Sequence, residues 1–588
     1  MAALFTTPKR NDTTAGTHVA EPDVRRRIGL AHGSWRRVTR RIVAGAVCAL
    51  TVSSLLMPSV SLAAEWVKVG GNKYNTAASD EAGTWSWDGA DDLKLNNYNG
   101  GEIQAAGKLN VNYSGNNIVT ADWIEGIKAS HGKNENAELN IQGDAGSTLS
   151  VTSTEDAILS TGNINIDGAG SVNATSTGFD AINAGGDLAI KGSGNVNATG
   201  ASDGIRANGN ITIDDSGAVT ARATKDKGIG ADKSLTIKGG GTVEASSADG
   251  EALWSGGSIN ISDGSQVKAS SEKDAAVEAK GSLAATNASL NANGVEYGVY
   301  AYKGAILDHA TVTVRTSAGG GQAIALFTYQ DDIVVKNGST VDAFAEGEVS
   351  AAFSTRNDPP NEEGGHIYIS DSVVKAIARY VENGDGPIPY SENQDGETSP
   401  EPQGENFGII AQTSEGVTPA VISIIRSKVT AEGDTAAIFA RAMSADGKTI
   451  GTIKIENAAI QTPEGGKVID YRKLRYGIYE AGQAIGTGDA VIDSPYNEAV
   501  AKSMVIAPPE VAKPEDPKPA ESKPAESKRN PKPEGSKPTK AVAASITKAK
   551  TTGVLAATGD TSGAAIVATV LAGTAAIAAG TMASRKRS

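Results

Sequence analysis

Ser202-Asp203-Gly204-Ile205-Arg206-Ala207-Asn208-Gly209-Asn210-Ile211-Thr212-Ile213, followed by Ala218-Val219-Thr220-Ala221, is one unit of a repeat that decides the fold. Its first segment recurs as Ile158-Leu159-Ser160, Ile182-Asn183-Ala184, Ile205-Arg206-Ala207, Ile229-Gly230-Ala231, Leu253-Trp254-Ser255, Val277-Glu278-Ala279 and Val299-Tyr300-Ala301. The steps between them are 24, 23, 24, 24, 24 and 22 residues. A second segment recurs from Ile164-Asn165-Ile166 to Ile259-Asn260-Ile261, and a third from Val172-Asn173-Ala174 to Val267-Lys268-Ala269. Three short alternating segments per repeat, split by Gly, Asp and Asn, predict one coil of a parallel β-helix, an all-β solenoid.

The chemistry of the repeat supports that architecture. In each triplet the outer two residues face one way and the middle one the other. Stacked coils would set Ile over Ile and Ala over Ala at about 4.8 Å. Such a narrow core has little need of rings, and aromatic residues make up only 5% of the chain. A β-sandwich, the competing all-β fold, would show less regular spacing and a more aromatic core. No coil buries its own face, so stability accrues along the stack.

Ahead of the regular coils stand Thr84-Trp85-Ser86-Trp87-Asp88-Gly89 and Leu93-Lys94-Leu95-Asn96-Asn97-Tyr98-Asn99-Gly100-Gly101-Glu102-Ile103. With the repeat, this stretch resembles the opening of secreted bacterial β-helix proteins of the carbohydrate-binding-domain type, related in fold to pectate lyases. The resemblance covers roughly residues 84–316. It implies a right-handed helix with an N-terminal cap, often a pectin or polysaccharide binder. It carries no binding residue over to this chain.

Beyond Ala318 the strands persist while the loops grow. Ile333-Val334-Val335, Ile367-Tyr368-Ile369, Val421-Ile422-Ser423-Ile424 and Ile453-Lys454-Ile455 read as later coils. Two insertions interrupt them, Ser354–His366 and Val381–Asn406, the second rich in acids. Insertions in a solenoid gather on one face, often the binding face, although an acidic loop is equally at home in solvent. The expected organisation is a cap at 65–124, regular coils at 125–316, irregular coils at 317–466 and a second cap at 467–507.

The termini speak to location. Arg36, Arg37, Arg40 and Arg41 precede an apolar segment, Ile42 to Leu56, and small residues Ala63 and Ala64. This is the layout of a secretory signal over 1–64, exported through the Sec route, with cleavage expected between Ala64 and Glu65. Arg36-Arg37 fits a twin-arginine motif poorly. The one cysteine, Cys48, falls inside that segment, so the mature chain would hold no thiol or disulfide. At the other end Leu555-Ala556-Ala557-Thr558-Gly559 precedes an apolar run over 563–583 and Arg585-Lys586-Arg587. This resembles a sortase sorting signal of the LAxTG kind, the actinobacterial variant of LPxTG. The resemblance implies cleavage between Thr558 and Gly559 by sortase, covalent transfer of Thr558 to cell-wall peptidoglycan, and a transmembrane helix in the precursor. Between head and signal, residues 508–554 hold nine prolines from Pro508 to Pro538. That composition builds no core. As extended polyproline it would make a disordered stalk reaching at most ~145 Å.

Charge separates the same parts. The chain carries −14 overall, +6 over 1–64 and +2 over 559–588, leaving −22 for 65–558. The stalk is +4 and the head, 65–507, is −26. Such a head will not seek nucleic acid and should favour cations.

Candidate sites follow from the repeat. The mature histidines, His131, His309 and His366, are dispersed and lack zinc-hydrolase spacing. No nucleophile elbow or phosphate-binding loop stands in a strand-to-helix context. One ladder of acids precedes the first segment: Glu125, Asp156, Asp180, Asp203 and Glu251, with Lys227 among them. Stacked carboxylates either bind Ca²⁺ or cap turns through backbone N–H groups. Asp156, Asp180, Asp203 and Glu251 are the candidate metal ligands. A second ladder is the outward middle of the first segment, where Arg206, Trp254 and Tyr300, with Tyr302 beside them, could hold a sugar chain. Three functions stay open: a polysaccharide- or host-glycan-binding adhesin, a Ca²⁺-dependent polysaccharide lyase, and a structural or protein-binding adhesin.

Overall fold

The computed structural model describes residues 63–130, 137–318, 321–361, 363–381, 405–414, 416–443, 450–471, 487–493 and 500–509. The signal segment before Ala63, most of the acidic insertion, the stalk and the sorting signal lie outside the described residues. All described elements are strands, and no helix occurs among the described residues.

Ile205–Ala207, Ile211–Asp214 and Ala218–Ala223 are the three strands of the coil quoted above. Each pairs in parallel with its counterpart one coil before and one coil after. The result is three long parallel sheets running the length of the stack, consistent with a parallel β-helix. In the first sheet Ile158, Ile182, Ile205, Ile229, Leu253, Val277 and Val299 stand in register. In the second, Ile164, Leu188, Ile211, Leu235, Ile259 and Leu283 do the same. In the third, Val172, Val196, Val219, Val243, Val267 and Leu290 stack. All of these are buried in one continuous core. Burying each such side chain contributes about 1.5–3 kcal/mol, and the like-on-like register multiplies that gain along the stack.

The corner from the second sheet to the third shows one reason for the Gly, Asn and Asp between the repeated segments. At least one residue per coil there is left-handed: Gly168, Gly192, Asp215, Gly239, Asp263, Asn287, His309, Asn337, Asp371, Arg426 and Asn457, with Gly240, Gly264 and Gly338 as second left-handed residues in three of the coils. Gly, Asn and Asp tolerate this conformation best. At Gly192 an added Cβ would also sit 2.3 Å from the Gly168 carbonyl oxygen, too close for any side chain.

The ends close differently from the middle. At the start, Ala78–Ser79, Trp85–Trp87 and Asp92–Asn96 run antiparallel ahead of the second sheet, and both Trp rings are buried. At the end, Ser503–Ala507 lies antiparallel between Lys428–Gly433 and Ala459–Thr462. Thr487–Asp493 and Lys467–Tyr471 extend the first sheet antiparallel.

In the irregular half the first sheet changes character. Gln322–Thr328, Val349–Asn357, Asn406–Thr413 and Ala436–Met443 are seven to nine residues long, against three in the regular coils. The strand Val349–Asn357 takes in Ser354, so the first insertion begins only at Asp358. The outer face of these strands carries its own apolar cluster: Ile324, Phe327, Ala351, Phe407, Ile410, Ala436 and Phe439. These strands are buried on both faces.

Candidate functional site

The acid ladder lies at the corner leading from the third sheet into the first. Asp156 Oδ1 accepts the Asp180 N–H at 3.0 Å, Asp180 Oδ1 accepts the Asp203 N–H at 2.9 Å, and Asp203 Oδ1 accepts the Lys227 N–H at 2.6 Å. These three aspartates thus cap the backbone of the next coil, not their own turns as the sequence suggests. Burial is the main influence raising the pKa of Asp156 and Asp180 and pushes Asp203 up to about 6. Glu251 is pushed up to about 7, by burial first and then by its hydrogen bond with Glu278. Among the described residues no three acidic or histidine side chains are grouped to hold a metal ion.

The outward row forms one column on the first sheet. Arg206, Gly230, Trp254, Glu278 and Tyr300 are direct neighbours in register. Most of its members are engaged. Arg206 bridges Asp203 at 3.4 Å and Asp232 at 3.2 Å. The Lys227 ammonium sits 5.3 Å from the Trp254 ring centre. Glu278 is buried and pairs with Lys280. Tyr300 stacks on Phe327 at 5.5 Å and leads into the covered apolar cluster. Tyr302 leaves this column. Its ring packs against Tyr329 at 5.3 Å, and its hydroxyl accepts a hydrogen bond from Gln330 Nε2 at 2.8 Å.

Gln330 marks the edge of a cleft of about 550 Å³ lined by Lys303, Gln330, Asp331, Asp332, Asn361, Glu363, His366, Tyr368 and Thr418. The cleft follows the corner where first-sheet strands turn into the second sheet. Its walls come from four successive coils. Asp332 Oδ1 accepts the His366 N–H at 2.9 Å, and His366 Nδ1 accepts the Val421 N–H at 3.2 Å. That acceptor role places the neutral ring's proton on Nε2. Burial lowers the His366 pKa against the opposing pull of Asp332, so the ring is uncharged at neutral pH. Burial likewise raises Asp332.

The floor beneath is fixed by Thr328 and Thr355, whose hydroxyls both donate to the Asp331 carbonyl, at 2.9 and 3.0 Å. Asn357 Nδ2 holds the Glu363 carbonyl at 2.8 Å. Tyr368, on the outer face of the second sheet, meets His366 edge to face at 5.9 Å. The Asn361 amide nitrogen is buried without a hydrogen-bond partner among the described residues. The cleft therefore offers an aromatic ring, an uncharged imidazole, several acceptors and an unsatisfied donor within one concavity.

Of the sequence-stated candidates, only Tyr302 adjoins this cleft; Arg206, Trp254 and the acid ladder lie on other coils. His366 and Tyr368 stand at the end of the first insertion, and that loop is the sequence signal that points to this face; His366 by itself carries no ligand spacing. The chain matches no protein-family model, no curated protein and no solved structure.

Proposed function

We propose that this protein is a cell-wall-anchored surface adhesin whose right-handed solenoid binds carbohydrate in the cleft around His366 and Tyr368. The observation that carries the reading is the cleft's composition. Sugars present apolar ring faces edged by hydroxyl groups. Their recognition calls for an aromatic surface with donors and acceptors beside it. Tyr368 supplies the first, and Gln330, Asp332, Asn361 and His366 the second. Asp331, Asp332 and Glu363 outnumber Lys303, so neutral or amine-bearing glycans suit the cleft better than polyuronates. Export through the segment ending at Ala64 and sortase transfer at Thr558 would place the head outside the cell, with the 508–554 stalk as spacer. A glycan array probed with and without Ca²⁺, beside an ultraviolet assay for unsaturated uronides, tests the proposal. Ca²⁺-independent binding of neutral or amino sugars without uronide release is the expected result. Release of unsaturated uronides would replace it with the lyase reading.

A further inference from the structure

The corner joining the third sheet to the first carries two aromatic side chains that the fold does not need. Trp123 is 86% exposed and Phe179 is 51% exposed. Trp123 is also left-handed, with φ 64°. A bulky residue in that region is strained, and strain persists only where the surroundings fix it. The coil geometry does not demand it here. Other coils turn the same corner, at Asp156, Asp180, Asp203 and Glu251, and Trp123 is the one left-handed residue there among the described residues. Its N–H is held by Thr154 Oγ1 at 2.6 Å. Phe179 is anchored as firmly: its N–H donates to Ser176 Oγ at 2.9 Å and its carbonyl accepts the Ser202 N–H at 3.1 Å. Both rings thus stand in solvent on fixed backbone roots, which lowers the ordering cost of binding.

Their spacing points to one ligand class. The strands that lead into them, Asn116–Ala121 and Ser171–Ser176, are two coils apart in the third sheet, with Thr148–Ser153 between. Two coil rises are about 10 Å. Alternate sugars of an extended β-linked chain present the same face at a comparable interval. Between the rings lie Thr154 and Glu155, so they form no continuous apolar patch of the kind a protein partner covers. Asp122, Glu155, Asp156 and Asp180 lie beside them along the same corner, against Lys128, which is paired with Glu125 at 2.5 Å, and this acidic balance disfavours an acidic polymer. We infer that Trp123 and Phe179 form a second carbohydrate platform, along the solenoid axis, for a neutral or amine-bearing β-linked glycan. It shares the ligand class proposed for the cleft and none of its residues.

Calorimetric titration of the full chain with a β-1,4-linked N-acetylglucosamine tetramer, its deacetylated counterpart and a tetragalacturonate tests this, with Trp fluorescence recorded in parallel. Trp123→Ala and Phe179→Ala should each weaken tetramer binding about 5- to 100-fold. Trp123→Phe should retain most of it, and tetragalacturonate should not bind. Trp123→Gly should lose binding with an unfolding temperature equal to or above the parent's, because glycine relieves the left-handed strain. That variant separates lost contact from lost fold. Affinities unchanged in both alanine variants, or failure of both tetramers to bind the parent, would overturn the inference. If Tyr368→Ala abolishes binding and Trp123→Ala does not, the corner fails and the cleft stands. The reverse leaves the corner standing and removes the cleft.

Discussion

Asp203 is 1% exposed, yet it sits in the turn of a protein whose surface is acidic. Its carboxylate caps the Lys227 N–H and touches Arg206, and burial still pushes it up to about 6 from 3.8. Glu251 is pushed up to about 7 from 4.5. Folded protein therefore holds protons that the unfolded chain has released. Stability from these two groups is fully present below about pH 4 and lost as pH rises through 6 to 7. Denaturant unfolding at pH 4, 5.5 and 7.5 should show that fall. Asp203→Asn, whose amide oxygen can still accept the Lys227 N–H, should flatten it by on the order of 2 kcal/mol. A pH slope identical to the parent's would contradict the assignment. The positions of these acids were legible in the repeat, since a residue two before the inward aliphatic must lie at a corner. Their capping of the next coil was not, because a hydrogen bond between coils depends on rise and register.

The element scale separates what alternation encodes from what it hides. Ile211-Thr212-Ile213 alternates in sequence and in burial, and Ile213 stacks between Ile190 and Ile237. Ile213→Asp would bury a charge without a partner and should cost several kcal/mol, enough to disrupt neighbouring coils. Limited proteolysis checks this; resistance equal to the parent's would mean that Ile213 does not face the core. By contrast Asn406–Thr413 is buried at all eight positions. A strand covered on both faces loses its two-residue rhythm, so its sequence does not declare which side faces inward. The regular coils were therefore readable, and the second-sheet strands at Ile333, Ile367, Val421 and Ile453 fell where their aliphatic pattern set them. The long first-sheet strands and their outer cluster, with Phe407 stacked on Phe439 at 5.2 Å, were not. The cleft was hidden for a related reason: Lys303, Asp332, His366 and Thr418 are far apart in sequence and meet only because four coils of unequal length turn at the same corner.

On the scale of the whole molecule, the −26 head, the basic stalk and the LAATG segment make one proposal about placement. Thr558→Ala should leave the protein in membrane and medium fractions, and unchanged covalent wall linkage in that variant would sink the sortase reading. A stack with an acidic surface should also discriminate among glycans by charge, most strongly at low ionic strength. The central claim is that the cleft around His366 and Tyr368 holds carbohydrate. Its most direct test is calorimetric titration of the full chain, wild type and Tyr368→Ala, with the neutral or amine-bearing glycan that binds best on the array. The account predicts saturable binding by the wild type, weakened by about 1–3 kcal/mol in the variant. Superimposable isotherms for the two proteins would contradict it.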